Sequence, residues 1–337
     1  LGDVYKRQNQ YELNNDEYIV LCDFDSQKEL RDEALKDGNN VLNIVGKQYK
    51  SKYNECKTGY IQMSTNHTNT GIVLVPDDCN LTEDMKNVLD DSVTKEESPL
   101  GKQILQQLQE NLQIAGDEMI PICQDTGMAV FFVEIGQDVH FEGQWLEDAI
   151  NEGVRQGYTE GYLRKSVVAD PILRENTKDN TPAIIHYSIV PGDKVTITFA
   201  PKGFGSENMS RIFMLKPADG IDGVKNAILT AVKDAGPNAC PPMVIGVGVG
   251  GTFEKCAVLA KKALTRPVNE HSEIPYVADL EKEMLVKINK LGIGPGGLGG
   301  TTTALAVNIN TYPTHIAGLP VAVNICCHVN RHAVRTI

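Results

Sequence analysis

The chain has 337 residues, of which 41% are hydrophobic and 23% charged, and its formal net charge is −12. This is the balance of a globular protein with enough apolar material for a sizeable core, in one large domain or two ordinary ones. The acidity speaks against a general nucleic-acid binder. No apolar run approaches the roughly 20 residues of a membrane span, and the start shows no charged-then-apolar export signal, so a cytoplasmic location is expected.

The opening run LGDVYKRQ begins with Leu and reads as foreign to the native sequence. From about residue 9 to 75 the chain is polar and rich in Asn, Asp, Lys and Tyr. Periodicity there is weak, with short strands expected at 18–22 and 71–75. Cys22, Cys56 and His67 carry no recognisable pattern.

The character changes near Asp78. Thr82 is placed to cap a helix bearing Met85, Val88 and Leu89. Ser98-Pro99 is a stronger start signal, an N-cap residue followed by proline at the first helical position. Leu100, Ile104, Leu105, Leu108 and Leu112 then recur at helical spacing. The loop PICQDTG (121–127) follows, then a buried strand over 128–135 and a helix over 145–156. Residues 183–190 and 194–200, rich in Ile, Val and Thr and joined by Pro191-Gly192-Asp193, read as a hairpin. KGFGSEN (202–208) is a glycine-bearing loop. Helices are expected over 219–233, ending at Gly236, and over 252–264 and 278–291. Strands or apolar segments are expected over 243–249, 304–310 and 319–325, with the loop GIGPGGLGG (292–300) ahead of the last two. Mixed strands and helices argue for an α/β or α+β domain.

GVGVGG (246–251) satisfies GxGxxG after a strand and before a helix, with Glu270 downstream. That is the dinucleotide pattern. The preceding Cys240-Pro241-Pro242 and the lack of a repeating strand–helix series favour a tight strand-to-helix junction instead.

Eight cysteines need a chemical account: Cys22, Cys56, Cys79, Cys123, Cys240, Cys256, Cys326 and Cys327. In a reducing compartment such residues are metal ligands, nucleophiles or inert core. No CxxC pair exists, so a metal site has to gather distant cysteines by folding. Cys256 sits mid-helix among apolar residues and reads as core. Cys123, Cys240 and Cys327 sit in loops flanked by turn residues or polar groups. Three thiolates on a [4Fe-4S] cluster, which ordinarily takes four, leave one iron open. An open iron is a Lewis acid suited to loss of water from a hydroxy acid.

PICQDTG, NTKDNTPA (176–183), KGFGSEN, GPNACPP, GVGVGGTFEK and the terminal GLPVAVNICCHVNRH, in that order, resemble the alpha subunit of the class I, iron–sulfur-dependent fumarate hydratases, a family that includes L(+)-tartrate dehydratase. The resemblance runs from about residue 78 to the end. It implies two regions. Residues 1–77 are a non-matching segment, expected to be foreign or poorly ordered. Residues 78–337 are an iron–sulfur hydro-lyase alpha domain with several helices around a mostly antiparallel sheet.

The resemblance further implies that Cys123, Cys240 and Cys327 bind a [4Fe-4S] cluster. Cys327 is preferred over Cys326 because His328 completes the Cys-His pattern. Gln124 and Asp125 lie beside the cluster at the substrate, with Asp125 the candidate acid/base; the plainer reading is that Asp125 only caps its turn. Arg164 matches an arginine that contacts a substrate carboxylate. Gly203 and Gly205 frame a loop whose N–H groups meet substrate, although Phe204 stands where the family usually has glycine. Lys165 and Arg174 read as solvated. Asn176, Thr177 and Asn180 read as loop-organising, and His315, His328 and His332 as supporting rather than catalytic. The implied reaction is reversible hydration of fumarate to (S)-malate, with tartrate dehydration as the alternative. Single-chain members continue into a second domain that adds residues to the substrate site. The resemblance therefore implies a beta-subunit partner here, in an α2β2 assembly. Outside this chemistry, two readings remain: a nicotinamide-dependent dehydrogenase built on Gly246–Gly251, and a cluster-carrying subunit without activity.

Overall fold

The computed structural model describes residues 81–337 apart from positions 119, 142 and 144. The strands expected at 18–22 and 71–75, and Cys22, Cys56, Cys79 and His67, lie outside the described residues.

Among the described residues two helices come first, α1 (Glu83–Lys95) and α2 (Pro99–Glu118). Ser98 starts α2 as expected: its Oγ accepts the Gly101 N–H at 3.2 Å, satisfying one orphan donor of the first turn. Thr82 precedes α1 in extended conformation but makes no side-chain cap. Then follow β1 (Met128–Gly136), α3 (Leu146–Glu160), β2 (Ile184–Val190), β3 (Val195–Lys202), the single turn α4 (Phe204–Glu207), β4 (Arg211–Leu215) and α5 (Gly220–Ala235). The rest is β5 (Met243–Gly250), α6 (Phe253–Ala263), α7 (Pro275–Asn289), β6 (Ala304–Tyr312), β7 (Leu319–Cys326) and β8 (Ala333–Thr336).

The mixed α/β class holds, but among the described residues the strands form two four-stranded sheets rather than one, ordered β2-β1-β3-β8 and β4-β7-β5-β6. Each has one parallel pair, β1 with β2 and β5 with β6, and is otherwise antiparallel.

The expected hairpin is not one. β2 and β3 both pair with β1, which lies between them. The reason is burial: Ala129 to Val133 form an unbroken apolar run, buried on both faces, and such a run belongs at a sheet centre. The 191–194 connection instead crosses the end of β1. There the Gly136 N–H donates to Lys194 O at 2.8 Å and the Gln137 N–H to Val190 O at 2.8 Å. A side chain at Gly136 would collide with Gly192 backbone.

Sheet one packs Phe131, Val133, Ile197 and Phe199 against Ile150, Val154 and Tyr158 of α3. Sheet two is covered on both faces. Met243, Ile245 and Val247 meet α5 and α7, while Val244, Ala306 and Cys326 meet α1 and α2. Leu105 and Leu89 are fully buried there, whereas Leu100 is exposed, so the α2 stripe is narrower than its leucines suggest. The sheets meet across α6: Lys262 pairs with Glu134 of β1 at 2.6 Å. Among the described residues no helix is long and apolar enough to cross a membrane.

Candidate active site

The PICQDTG loop is held from several sides. Tyr158, buried on α3, donates its hydroxyl to Thr126 O at 3.0 Å and Gly127 O at 3.2 Å. Asn180, fully buried in the left-handed region at φ 62°, donates to Gly127 O at 3.1 Å. Its Oδ1 accepts the N–H groups of Ser166 and Val167. Arg331, on the segment after β7, donates to Thr126 O at 3.5 Å. Thr126 Oγ1 in turn donates to Arg164 O at 3.2 Å. The loop is thus fixed mostly through its own carbonyls, and of the side chains at 123–125 that of Gln124 is exposed.

Asp125 bridges two loops. Its Oδ1 accepts the Gly127 N–H at 3.2 Å and its Oδ2 the Phe204 N–H at 2.8 Å. This joins PICQDTG to the start of the Gly203–Gly205 loop, and the turn-capping role weighed from sequence is present. Each carboxylate oxygen retains acceptor capacity beyond these bonds. The Phe204 side chain is exposed, so it does not fill the space in front of the loop backbone. A Cβ on Gly205 would meet nothing within 4 Å. Gln124 is exposed, with Oε1 accepting from the Cys123 thiol at 3.3 Å.

The three loop cysteines lie on three separate segments that border one another. Cys123 and Cys327 pack on the same apolar cluster. Cys240 is exposed and left-handed, with φ 52° and ψ 63°. Burial, and then the charge of a neighbouring Cys123 thiolate, push its thiol up from the ordinary value. His328, next to Cys327, places Nδ1 3.3 Å from Cys240 O. The Asp125 N–H donates to Cys123 Sγ at 3.5 Å.

Cys326 and Cys327 differ in setting. Cys326 is the last residue of β7, buried, and opposite Val244. Cys327 lies beyond the strand and is half-buried. Their thiols share a hydrogen bond. That bond, with Lys202, Arg331 and Lys261 nearby, makes the first proton of the pair easier to lose, and the second is held well up. Among the described residues no three His, Cys, Asp or Glu side chains gather tightly enough to hold one metal ion. A cluster takes each thiolate on a different iron, so its ligands stand further apart than ligands sharing one ion. Three thiols on three loops, with Lys202 near the Cys326–Cys327 pair, have the donor chemistry such a group takes.

Arg164 is exposed beside this loop, and no hydrogen bond or ion pair of its guanidinium is found among the described residues. Asn176 donates to Lys165 O at 2.8 Å and Thr177 to Val167 O at 3.3 Å, organising the 165–180 segment as expected. His315 is exposed and accepts the Ala317 N–H. His332 has a buried Nδ1 without a partner among the described residues.

The GVGVGG pattern has a packing explanation. A Cβ on Gly246 would overlap Ala260 O, and one on Gly248 would overlap Cys256 O. The glycines let α6 lie directly on β5. Cys256, on the inner face of α6, is fully buried, as core.

Residues 74–336 match the family model described as fumarate hydratase (Fumerase). The chain belongs to this family. It is therefore a hydro-lyase. A putative L(+)-tartrate dehydratase subunit alpha of Methanocaldococcus jannaschii is 44% identical over 263 residues, covering 76% of this chain and 92% of the relative. The L(+)-tartrate dehydratase subunit alpha of Escherichia coli strain K12 is 32% identical over 260 residues, covering 76% and 84%.

Several residues of this family member escape a reading of the sequence. Tyr158, Thr126, Lys202, Glu207, Lys261 and Arg331 act through buried polar contacts between distant segments. Only the composition of KGFGSEN, with a lysine and a glutamate in an otherwise small-residue loop, hints at any of them.

Proposed function

We propose that this chain is the alpha subunit of a hydratase that interconverts fumarate and (S)-malate together with a beta subunit, in an α2β2 assembly. The observation that carries the reading is the convergence of Cys123, Cys240 and the Cys327-His328 turn beside an Asp125 tied to the Gly203–Gly205 loop. Bound at these three cysteines, a [4Fe-4S] cluster supplies an open Lewis-acidic iron that polarises the C–O bond of a hydroxy acid.

The chain's own residues do the rest. The Arg164 guanidinium takes a substrate carboxylate in a two-point contact. Gln124 and the N–H of Gly205 orient the dianion. Asp125, its carboxylate aimed by two backbone N–H groups, moves the proton at the carbon next to the hydroxyl-bearing one. The names of the relatives as alpha subunits support the beta partner.

The same names favour a second reading, dehydration of L-tartrate to oxaloacetate on the same residues. Anaerobic purification with iron and sulfide analysis, followed by assay with the beta subunit on malate and L-tartrate, tests both. About four irons per chain are expected, with marked loss in Cys123→Ser, Cys240→Ser and Cys327→Ser and little loss in Cys326→Ser. Turnover of malate in preference to tartrate supports the first reading, and the reverse preference the second. An iron-free chain after reconstitution would sink both.

A further inference from the structure

A largely buried ionic cluster centred on Lys202 and Glu207 lies behind the site, away from the side chains given a role in the reaction. Lys202, the last residue of β3, is 4% exposed. Its ammonium donates to Gly203 O at 3.1 Å and Ser206 Oγ at 2.9 Å and lies 3.4 Å from Glu207 Oε2. Glu207 ends α4, the turn that begins with the substrate loop. Its Oε1 pairs with Lys261 of α6, and its Oε2 accepts from Asn324 of β7 at 2.9 Å. Asn324 also donates to Ser210 Oγ at 2.8 Å, and that same oxygen accepts the Ile325 N–H at 3.1 Å.

One carboxylate thus touches sheet one through Lys202 and sheet two through Asn324 and α6. One buried and one partly buried cation face it, so removing its charge leaves both without their main counter-ion. Burial alone would raise the Glu207 carboxyl, but Lys261 and Lys202 hold it below its ordinary value. The two strand ends it joins are the ones that lead directly into Gly203–Gly205 and into Cys327. A general packing role would not select those two ends.

We infer that Glu207 is a positioning residue: it holds the glycine loop after β3 and the cysteine turn after β7 in a common register, so that the loop meeting substrate and the turn offering Cys327 stay aligned. The functional names of the two segments rest on the hydro-lyase reading. The coupling between them does not.

Hydrogen–deuterium exchange on the full-length, anaerobically purified chain tests it, with iron measured in parallel. In Glu207→Gln, amides of residues 203–210 and 319–327 should both exchange at least tenfold faster, with those of β1 and β6 unchanged. A double variant, Glu207→Leu with Lys261→Met, restores the charge balance but leaves no acceptor for the bridge, so both segments should remain fast. Return of both to wild-type rates in the double variant would show that Glu207 only balances charge and would overturn the inference. So would acceleration across all elements alike, or no acceleration in the single variant. If Glu207→Gln yields no folded protein, Asn324→Ser removes the Glu207 contact to β7, together with the Asn324–Ser210 bond, and leaves both lysine contacts of Glu207 in place. The same paired acceleration is then expected, and its absence would be equally decisive. All these readings are obtained without turnover, so they stand whichever substrate the enzyme takes.

Discussion

Thr126 and Gly127 each offer one carbonyl that receives two side-chain donors. Thr126 O takes Tyr158 and Arg331, and Gly127 O takes Tyr158 and Asn180. Doubling the donors makes the loop tolerant of losing one. Tyr158→Phe keeps the buried ring and leaves each carbonyl a remaining partner, so the cost should be that of an ordinary hydrogen bond, about 1 kcal/mol. A thermal melt should show a fall of roughly 2–4 °C, with iron content unchanged. A fall several times larger would mean that the hydroxyl holds the loop by itself. The sequence exposes little of this layer. Cys123, Gln124 and Asp125 stand out because their types have known chemistry and their loop is unusual. Tyr158 and Asn180 do not, because what makes them important is a carbonyl more than thirty residues away in sequence for Tyr158 and more than fifty for Asn180.

At the scale of elements, β5 and α6 illustrate how a motif misleads. Gly246 and Gly248 are spaced two apart because alternate residues of a strand face one side, and that side is covered by helix backbone at van der Waals distance. Gly248→Ala must lift α6 from the sheet. Overpacking of this kind costs about 1–3 kcal/mol and can cost more where backbone is the obstacle. Chemical denaturation should show a lowered midpoint with an unchanged slope; a neutral result would mean that the helix shifts freely. Long elements with clear periodicity, such as α2, α5 and β5, are legible from sequence to within a few residues. β4 and β8 are not. β4 reads Arg-Ile-Phe-Met-Leu, and its exposed Ile212 and Met214 hide the alternation that marks an edge strand. β8 has four residues, too few for a pattern. The false hairpin has another cause. Turn chemistry at Pro191-Gly192-Asp193 is local, whereas the insertion of β1 between β2 and β3 is decided by burial of a strand some fifty residues earlier.

For the molecule as a whole, Glu96 is the clearest pH-sensitive tie. It is 1% exposed and links the start of α2 to the segment entering β6. Its carboxylate accepts the N–H groups of Ser98, Thr301 and Thr302 at 2.7–3.0 Å. Burial alone would raise its pKa, but these backbone donors overcome it and hold the group at about 2, against an ordinary 4.5. A depressed carboxylate pKa stabilises the fold above the unfolded value, and that contribution is lost as pH falls from about 4.5 towards 2. The denaturation midpoint of the cluster-free chain should therefore fall over this window in the wild type. Glu96→Gln should be less stable at pH 7, and the gap between the two should narrow as the pH drops. A constant gap down to pH 3 would show that the carboxylate stays outside the linkage.

The pairing of β3 with β8 has a kinetic consequence. Thr196 and Thr336 share a hydrogen bond 140 residues apart in sequence. The chain begins sheet one, leaves to build all of sheet two, and returns to place the last strand of sheet one. Sheet one therefore does not occupy a contiguous stretch, because all of sheet two lies between β3 and β8 in the chain. Contacts of such long sequence separation must close large loops before they are rewarded, which slows folding. Until β8 arrives, the hydrogen-bonding edge of β3 stays open to strands of other molecules. Refolding should accordingly be slow and sensitive to protein concentration, with the last residues deciding whether it ends in monomer or aggregate.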